Sequence, residues 1–269
     1  MNSVFPNFFI DTHFHVFAAG VGAPDARYVP QYTASLAAWR NCSELASKVA
    51  AKGVVVQTSF LGFDNTQILA ELAMYPETLR GVAVLPSTTD AATIAVLHSY
   101  GVRGIRLNLA GRSHDVADWS KPNTHGLWEA IESWGWHVEL HTDQGALPAV
   151  LTQMPAYVPL VIDHMGKPEH PQAQDATVRA LVKRVKHAAV HVKLSGAYRL
   201  GGLDAKAVAS VWLEELGAEQ LLWGSDWPCT NHETMADYPK LFGVLTDWVG
   251  TDHLDVILRH NPDRLYFKP

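Results

Sequence analysis

The first apolar run of the chain ends in Phe9-Ile10-Asp11-Thr12-His13-Phe14-His15. An apolar run that passes into alternating polar residues is typical of a buried strand whose last residues emerge at one end of a sheet. Side chains alternate between the faces of a strand, so the stretch predicts that Asp11, His13 and His15 project the same way. The two imidazoles would then be neighbours, able to bind a metal ion or polarise an oxygen atom. The alternative is one hydrogen-bonded core His and one surface His.

Seven further apolar runs follow, and each precedes a segment with helical spacing or a helix stop signal. The predicted strands are Phe9–His15, Gly53–Ser59, Gly81–Pro86, Val102–Asn108, Trp136–Thr142, Leu160–His164, His191–Ser195 and Leu221–Asp226. Helices are predicted at 35–51, 65–75, 91–100, 123–134, 146–153, 174–188, 204–216, about 235–249 and about 254–265. Eight such units predict an α/β fold with a parallel sheet closed into a (β/α)8 TIM barrel. An open doubly wound sheet is the alternative.

Length and composition indicate one compact domain over residues 1–269, without linkers, low-complexity tracts or charge blocks. Hydrophobic residues make up 48% of the chain, and the net charge of −6 argues against nucleic-acid or anionic-membrane partners. Cys42 and Cys229 have no metal or redox spacing, which predicts a reducing, cytoplasmic setting. Residues 1–3 carry no basic charge, and no apolar run approaches the ~18 residues of a membrane span. Neither secretion nor membrane insertion is expected.

Polar residues that close the apolar runs are the candidate site residues, because a barrel of this kind has its site at the C-terminal ends of its strands. They are His13, His15, Arg106, Asn108, Glu139, His141, His164, Lys193 or Ser195, and Asp226. A carboxylate beside several imidazoles can take a proton from water while the imidazoles or a metal polarise a carbonyl, which predicts a hydrolase. The sequence lacks a Gly-x-Ser-x-Gly elbow and an early Gly-x-Gly-x-x-Gly loop, so a serine nucleophile and a nucleotide cofactor are not expected.

Five motifs carry a resemblance to a known family. They are Asp11-Thr12-His13-Phe14-His15-Val16-Phe17, Arg103-Gly104-Ile105-Arg106, Val161-Ile162-Asp163-His164-Met165-Gly166-Lys167-Pro168, Trp223-Gly224-Ser225-Asp226-Trp227-Pro228 and Asn261-Pro262-Asp263-Arg264-Leu265-Tyr266. In order and spacing, over about residues 9–267, they resemble the amidohydrolase superfamily. Within it the chain resembles the lactonase branch typified by 2-pyrone-4,6-dicarboxylate hydrolase. The resemblance implies a lactonase of aromatic-acid or sugar-acid catabolism that acts on a small anionic lactone.

The resemblance also implies residue roles. Asp226 would be the general base, and His13, His15 and His164 would hold and polarise the lactone carbonyl, which the pyrone-dicarboxylate enzymes do without a metal. Substrate carboxylates would be bound by guanidinium groups, whose planar pair of donors suits a carboxylate. The candidates for this binding are Arg106, Arg112 and Arg199, and the further candidate substrate contacts are Lys167, His141 and Tyr198.

Two departures from the branch change the expectation for the site. Lys167 stands where the pyrone hydrolases have Arg, and His141 stands where they have Tyr. Metal-dependent members of the superfamily have a ligand at the position of His141, so one Zn²⁺ or Mn²⁺ could be held by three nitrogens and one oxygen. That ligand set would be His13, His15, His141 and Asp226. The resemblance to a metal-free branch favours no cofactor, and Arg106 and Asn108 on strand four do not suit a two-metal site.

Other interpretations stay open. The chain could be a mononuclear Zn- or Mn-dependent decarboxylase or hydrolase of the same superfamily, or a non-catalytic barrel that binds a small organic acid. Asp226 together with three strand-end His argues against the binder, which needs no general base. A Gly-, Pro- and Ala-rich loop at residues 18–30 is either a lid or substrate loop or a surface excursion.

Overall fold

The computed structural model describes residues 7–235 and 237–268. Residues 1–3, on which the targeting prediction depends, and Ala236, inside a predicted helix, lie outside the described residues. One sheet contains eight parallel strands in chain order, each paired with the next. The strands are β1 Phe8–Phe14, β2 Ala50–Val56, β3 Leu79–Ala83, β4 Val102–Asn108, β5 His137–His141, β6 Leu160–Ile162, β7 Val190–Leu194 and β8 Leu221–Trp223.

The sheet closes where the chain beyond β8 meets β1. The backbone N–H of Asp226 donates to the carbonyl of His13 at 2.8 Å, and the N–H of His15 donates to the carbonyl of Trp227 at 2.9 Å. The hydroxyl of Thr12 donates to the carbonyl of Trp223 at 2.8 Å. The predicted (β/α)8 barrel is confirmed, and the open doubly wound sheet is excluded.

Helices surround the barrel. They are α1 Leu36–Ser47, α2 Thr66–Met74, α3 Ala91–Ser99, α4 His125–Ser133, α5 Leu147–Leu151, α6 Ala176–Arg184, α7 Ala205–Leu216, α8 Tyr238–Gly243 and α9 Leu245–Val249, with helical turns at Val256–His260 and Asp263–Phe267. The first helix is shorter than predicted, because Lys48 adopts a left-handed conformation (φ 60°) and β2 begins at Ala50. In the described ranges, no helix has both the length and the apolar character needed to cross a membrane.

Strands β2 and β3 begin earlier than the sequence predicts. Their first residues include Lys52 and Arg80, whose charges lie 4.6 Å from the ring of Phe267. Charged side chains are tolerated there because they stack on an aromatic face at the N-terminal end of the barrel. Above this end, an apolar cluster contributed by five strands and the C-terminal helical turn fills the interior. Its members are Ile10, Val54, Val56, Val82, Val161, Leu222 and Tyr266.

Strand β1 contains an irregularity that decides which residues face the site. Its register against β2 shifts between Asp11 and Phe14, as in a β-bulge. The Asp11 carboxylate accepts hydrogen bonds from Trp39 of α1 at 2.9 Å and from Tyr238 of α8 at 2.8 Å, so it faces the helices. The imidazoles of His13 and His15 are neighbours as predicted, with ring centroids 4.9 Å apart. The prediction that Asp11 projects with them is wrong, because the bulge breaks the alternation.

Candidate active site

A pocket of about 940 Å³ opens at the C-terminal ends of the strands. This is the end at which barrels of this type carry their active sites. Most of the predicted site residues line it, namely His15, Arg106, Arg112, His141, His164, Arg199 and Asp226. Because these side chains come from the ends of different strands, barrel closure is what brings them together.

The carboxylate of Asp226 lies at the centre of the site, in the loop after β8. One oxygen, Oδ1, is 3.6 Å from Nε2 of His13 and 3.4 Å from Nε2 of His15. The other, Oδ2, accepts hydrogen bonds from the hydroxyl of Tyr198 at 2.6 Å and from Nε of Arg199 at 2.7 Å. Burial acts to raise the pKa of Asp226, but Arg199 and His164 outweigh it and hold that pKa well below its usual range. Asp226 is therefore a carboxylate at neutral pH.

The two imidazoles of β1 are held in different ways. Nδ1 of His15 lies 2.7 Å from the carbonyl oxygen of Val56. A carbonyl only accepts, so this nitrogen carries a proton, and Nε2 of His15 faces Asp226. Nδ1 of His13 lies 3.2 Å from both Nζ of Lys193 and Oδ1 of Asp163. Burial lowers the pKa of His13 to about 4, which keeps its ring neutral at pH 7.

A layer of buried charges lies beneath these imidazoles. Nε of Arg106 donates to Oδ2 of Asp163 at 2.9 Å, and Nζ of Lys193 donates to Oε1 of Glu139 at 2.7 Å. The hydroxyl of Tyr266 also donates to Oε1 of Glu139, at 3.0 Å. The layer balances two cations with two carboxylates, as buried charges require. Because Glu139 and Lys193 are fully buried and paired in this layer, they support the pocket rather than line it.

Asp163 was missed as a site residue by sequence reasoning, which singled out only the neighbouring His164. It contacts His13, Arg106 and Lys193. Burial acts to raise its pKa, but the positive charges of Arg106 and Lys193 help to hold that pKa well below the usual range. The signal that could have found it is its position directly after the apolar run of β6, where a carboxylate needs a buried partner.

The rings of His164 and His141 lie side by side, with centroids 4.7 Å apart. Nδ1 of His164 is 3.0 Å from Oγ of Ser195, and within the described part of the chain its Nε2 has no hydrogen-bond partner. The two ring nitrogens of His141 instead face cations, Arg106 at 3.5 Å and Lys167 at 3.4 Å. Burial, with His164 and Arg106 close by, lowers the pKa of His141 well below its usual value. Burial also lowers the pKa of Lys167, to about 8.

The remaining predicted substrate contacts occupy two different environments. Arg112 lies at the pocket rim with its side chain 41% exposed, 3.7 Å from Asp25. Arg199 and Tyr198 are bound to Asp226, and Arg199 also donates to the carbonyl of Thr230 at 3.1 Å. Arg112 is thus open to a ligand, whereas Arg199 and Tyr198 orient Asp226 in this state.

The loop that follows β1 lies over the pocket. Its residues 23–28 line the cavity, and the hydroxyls of Tyr28 and Tyr32 donate to Oε1 of Glu233 at 2.7 and 3.1 Å. Arg27 donates to the carbonyl of Ala110 at 3.0 Å. These contacts attach the loop to the segments after β8 and β4. They favour the lid or substrate interpretation of residues 18–30 over a surface excursion.

Three of the four predicted metal ligands are grouped closely enough for one ion. His13, His15 and Asp226 each offer a ligand atom within 4.8 Å of the others, and His13, Asp163 and His164 form a second such group. His15 has the arrangement usual for a ligand, because its other ring nitrogen donates to a carbonyl. His141 belongs to neither group, since both of its nitrogens face cations. The residues present therefore fit a single Zn²⁺ or Mn²⁺ by ligand type, with His141 outside the set.

Comparison with known proteins gives one consistent family. Residues 10–268 match the amidohydrolase family. The chain is 30% identical to a 2-pyrone-4,6-dicarboxylate hydrolase of Comamonas testosteroni, over 96% of this chain and 90% of that protein. It is 26% identical to a 4-sulfomuconolactone hydrolase of Rhizobium radiobacter, over 95% of this chain and 89% of that protein.

A solved structure has the same fold as this chain and a sequence identity to it similar to that of the first relative. It is a probable 2-pyrone-4,6-dicarboxylic acid hydrolase from Acinetobacter baumannii, with citric acid bound. It superposes with a TM-score of 0.85 at 32% identity, covering 96% of this chain and 99% of that one. The family match over nearly the whole chain, and the fold and site built by its motifs, confirm the resemblance: the chain belongs to the amidohydrolase family.

Proposed function

We propose that the chain is a hydrolase that opens a small carboxylate-bearing lactone of the 2-pyrone-4,6-dicarboxylate type. Relatives named as hydrolases of cyclic esters support lactone hydrolysis. The observation that carries the finer proposal is the ionised, buried Asp226 placed between two imidazoles at the floor of a pocket lined by arginines. Aromatic-acid or sugar-acid catabolism in a cytoplasmic setting stays a prediction.

The proposed reaction uses Asp226 as general base. A water molecule near Oδ1 attacks the lactone carbonyl while Asp226 takes its proton. The carbonyl oxygen is polarised by His13 and His164, whose buried Nε2 atoms have no hydrogen-bond partner among the described residues. The new C–O bond forms as the ring C–O bond breaks, and protonated Asp226 returns its proton to the leaving enolate or alkoxide. His15, to which the resemblance also gives a part in polarising the carbonyl, places its Nε2 3.4 Å from Oδ1 of Asp226.

The ion pair of Asp226 with Arg199 weakens it as a base in the free enzyme. A substrate carboxylate that binds Arg199 competes for the guanidinium and relieves this effect, so that Asp226 becomes more basic when the substrate is in place. Arg106, Arg112 and Lys167 add positive charge around the same pocket. A carboxylate-rich ligand fits such a pocket, and the citric acid bound in the Acinetobacter baumannii structure is of that chemical class.

A metal ion would be held by His13, His15 and Asp226, and when bound it would supply Lewis-acid polarisation of the carbonyl or of water. This donor set favours the second candidate, a mononuclear metal-dependent hydrolase or decarboxylase. The deciding experiment combines elemental analysis of the purified protein with assays of 2-pyrone-4,6-dicarboxylate and other carboxylated lactones, with and without chelator. We expect chelator-resistant hydrolysis. Activity that needs one equivalent of metal supports the second candidate, and ligand-induced thermal stabilisation without turnover supports an organic-acid-binding barrel.

The pH dependence of substrate binding tests the role of Lys167. Because its pKa is about 8, the ammonium is lost as the pH rises through 8, and KM for an anionic lactone is expected to rise above that pH. In Lys167→Arg the guanidinium stays charged, so the alkaline rise in KM should disappear. Initial rates between pH 6.5 and 9.5 measure the effect. A pH-independent KM in the wild type would remove Lys167 from substrate binding.

A further inference from the structure

The ammonium of Lys193 approaches the imidazole of His13 from inside the barrel. Its Nζ lies 3.2 Å from Nδ1 of His13, 2.7 Å from Oε1 of Glu139 and 3.5 Å from Oδ1 of Asp163. The Lys193 side chain is fully buried. Sequence reasoning placed Lys193 or Ser195 at the end of strand seven without giving either a role.

The chemistry of these neighbours decides where His13 carries its proton. An ammonium has three donors and no acceptor, so it can bind Nδ1 only when that nitrogen presents a lone pair. Oδ1 of Asp163 also lies 3.2 Å from Nδ1, but this oxygen has no hydrogen-bond partner among the described residues. A neutral His13 that accepts from Lys193 has its proton on Nε2. That atom lies 3.6 Å from Asp226 and has no hydrogen-bond partner within residues 7–235 and 237–268.

We propose that Lys193 is a positioning residue that keeps the proton of His13 on Nε2, facing the pocket. His13 is thereby a hydrogen-bond donor to the reacting carbonyl and a poor metal ligand. The inference rests on the proposed lactone hydrolysis and deepens it. It names the residue that makes His13 polarise the carbonyl by a hydrogen bond rather than bind a metal ion.

The contrast with His15 shows what Lys193 changes. Ligating imidazoles commonly donate their second N–H to a carboxylate or carbonyl, and His15 does so to Val56. Asp163 stands close enough to play that part for His13, yet the ammonium of Lys193 contacts both of them. The Nδ1 atoms of the two histidines thus have opposite partners: that of His15 donates to a carbonyl, whereas that of His13 faces an ammonium.

The test replaces Lys193 while keeping the buried charges balanced. The variant is Lys193→Met combined with Glu139→Gln, and the matched control is Glu139→Gln alone, in which Lys193 remains. Long-range ¹H–¹⁵N spectra of protein labelled at histidine nitrogens report which ring nitrogen carries the proton, with His13 assigned from His13→Gln. We expect the proton on Nε2 in the wild type and the control, and on Nδ1, donating to Asp163, in the double variant.

Zinc affinity is the second measurement, made by competition with a chromophoric chelator and independent of activity. We expect the double variant to bind Zn²⁺ about 10- to 100-fold more tightly than the control, the size of effect known for partners of metal-bound histidines. A wild-type proton on Nδ1 overturns the proposal, even if the double variant does not fold. Unchanged zinc affinity in a folded double variant overturns it as well. Lactone turnover by the wild type is assayed separately, so failure of the proposed function is distinguished from failure of this inference.

Discussion

Asp226→Asn is expected to lower kcat for lactone hydrolysis about 10²- to 10⁴-fold, the usual contribution of a positioned general base. The amide keeps the size of the carboxylate and can still accept from Tyr198 and Arg199, which hold Oδ2 at 2.6 and 2.7 Å. It cannot take a proton from water. The loss should therefore appear in kcat much more than in KM, measured by steady-state kinetics.

The matched control is Asp247→Asn, the same chemical change at an exposed position of α9. Its kinetic constants should equal those of the wild type. Near-normal turnover in Asp226→Asn would assign the base to another residue, and a loss confined to KM would make Asp226 a binding group.

Arg106→Met is expected to lower the free energy of unfolding by about 3–5 kcal/mol, because removing one partner of a buried ion pair leaves the other charge poorly compensated. Lys193 stays 3.5 Å from Asp163, but its hydrogen bond goes to Glu139. Nε of Arg106 donates to Asp163 at 2.9 Å, and both side chains are buried. Nearby positive charges hold the pKa of Asp163 well below its usual range, so this carboxylate is ionised at pH 7. Removing Arg106 therefore destabilises the protein at that pH. Urea denaturation monitored by circular dichroism measures the change.

Two variants show whether the pair itself is responsible. Arg106→Met combined with Asp163→Asn should recover part of the loss, because the uncompensated charge is gone. Arg103→Met removes a half-buried Arg of the same strand. Within the described residues Arg103 donates only to the backbone carbonyls of His98 and Val102, so its loss should cost about 1 kcal/mol. Equal losses in Arg106→Met and Arg103→Met would show that the buried pair has no special weight.

Strand and helix order could be predicted because eight apolar runs recur with stop signals between them, and β4 begins and ends as predicted. The errors have local physical causes. The starts of β2 and β3 were predicted too late because of Lys52 and Arg80. In the sequence a charged residue suggests a loop, whereas here each charge stacks on Phe267. The irregularity between Asp11 and Phe14 is not detected by a rule of strict alternation, so the sequence places Asp11 on the wrong face.

The pocket residues could be predicted because they lie at the ends of strands. Their hydrogen-bond and ion-pair partners could not be predicted. That Tyr198 and Arg199 bind Asp226 depends on how the loop after β7 folds over β8, which no spacing reveals. The separation of His141 from the metal-ligand group depends likewise on the directions of Arg106 and Lys167. Pairings inside a barrel join residues far apart in the chain, so single-sequence patterns do not contain them.

The buried charge layer also limits how this chain can change over generations. Loss of Lys193 or Glu139 alone, or of Arg106 or Asp163 alone, leaves a buried charge without its main partner and makes the barrel less stable. Joint replacement by apolar residues is a path that stabilises many proteins, but here it removes the support of His13. Single replacements are thus opposed by the loss of stability, and joint replacements by the loss of catalysis. These four residues are expected to stay the same for as long as selection maintains the catalytic activity. Once that selection is lost, the two members of each pair are expected to change together.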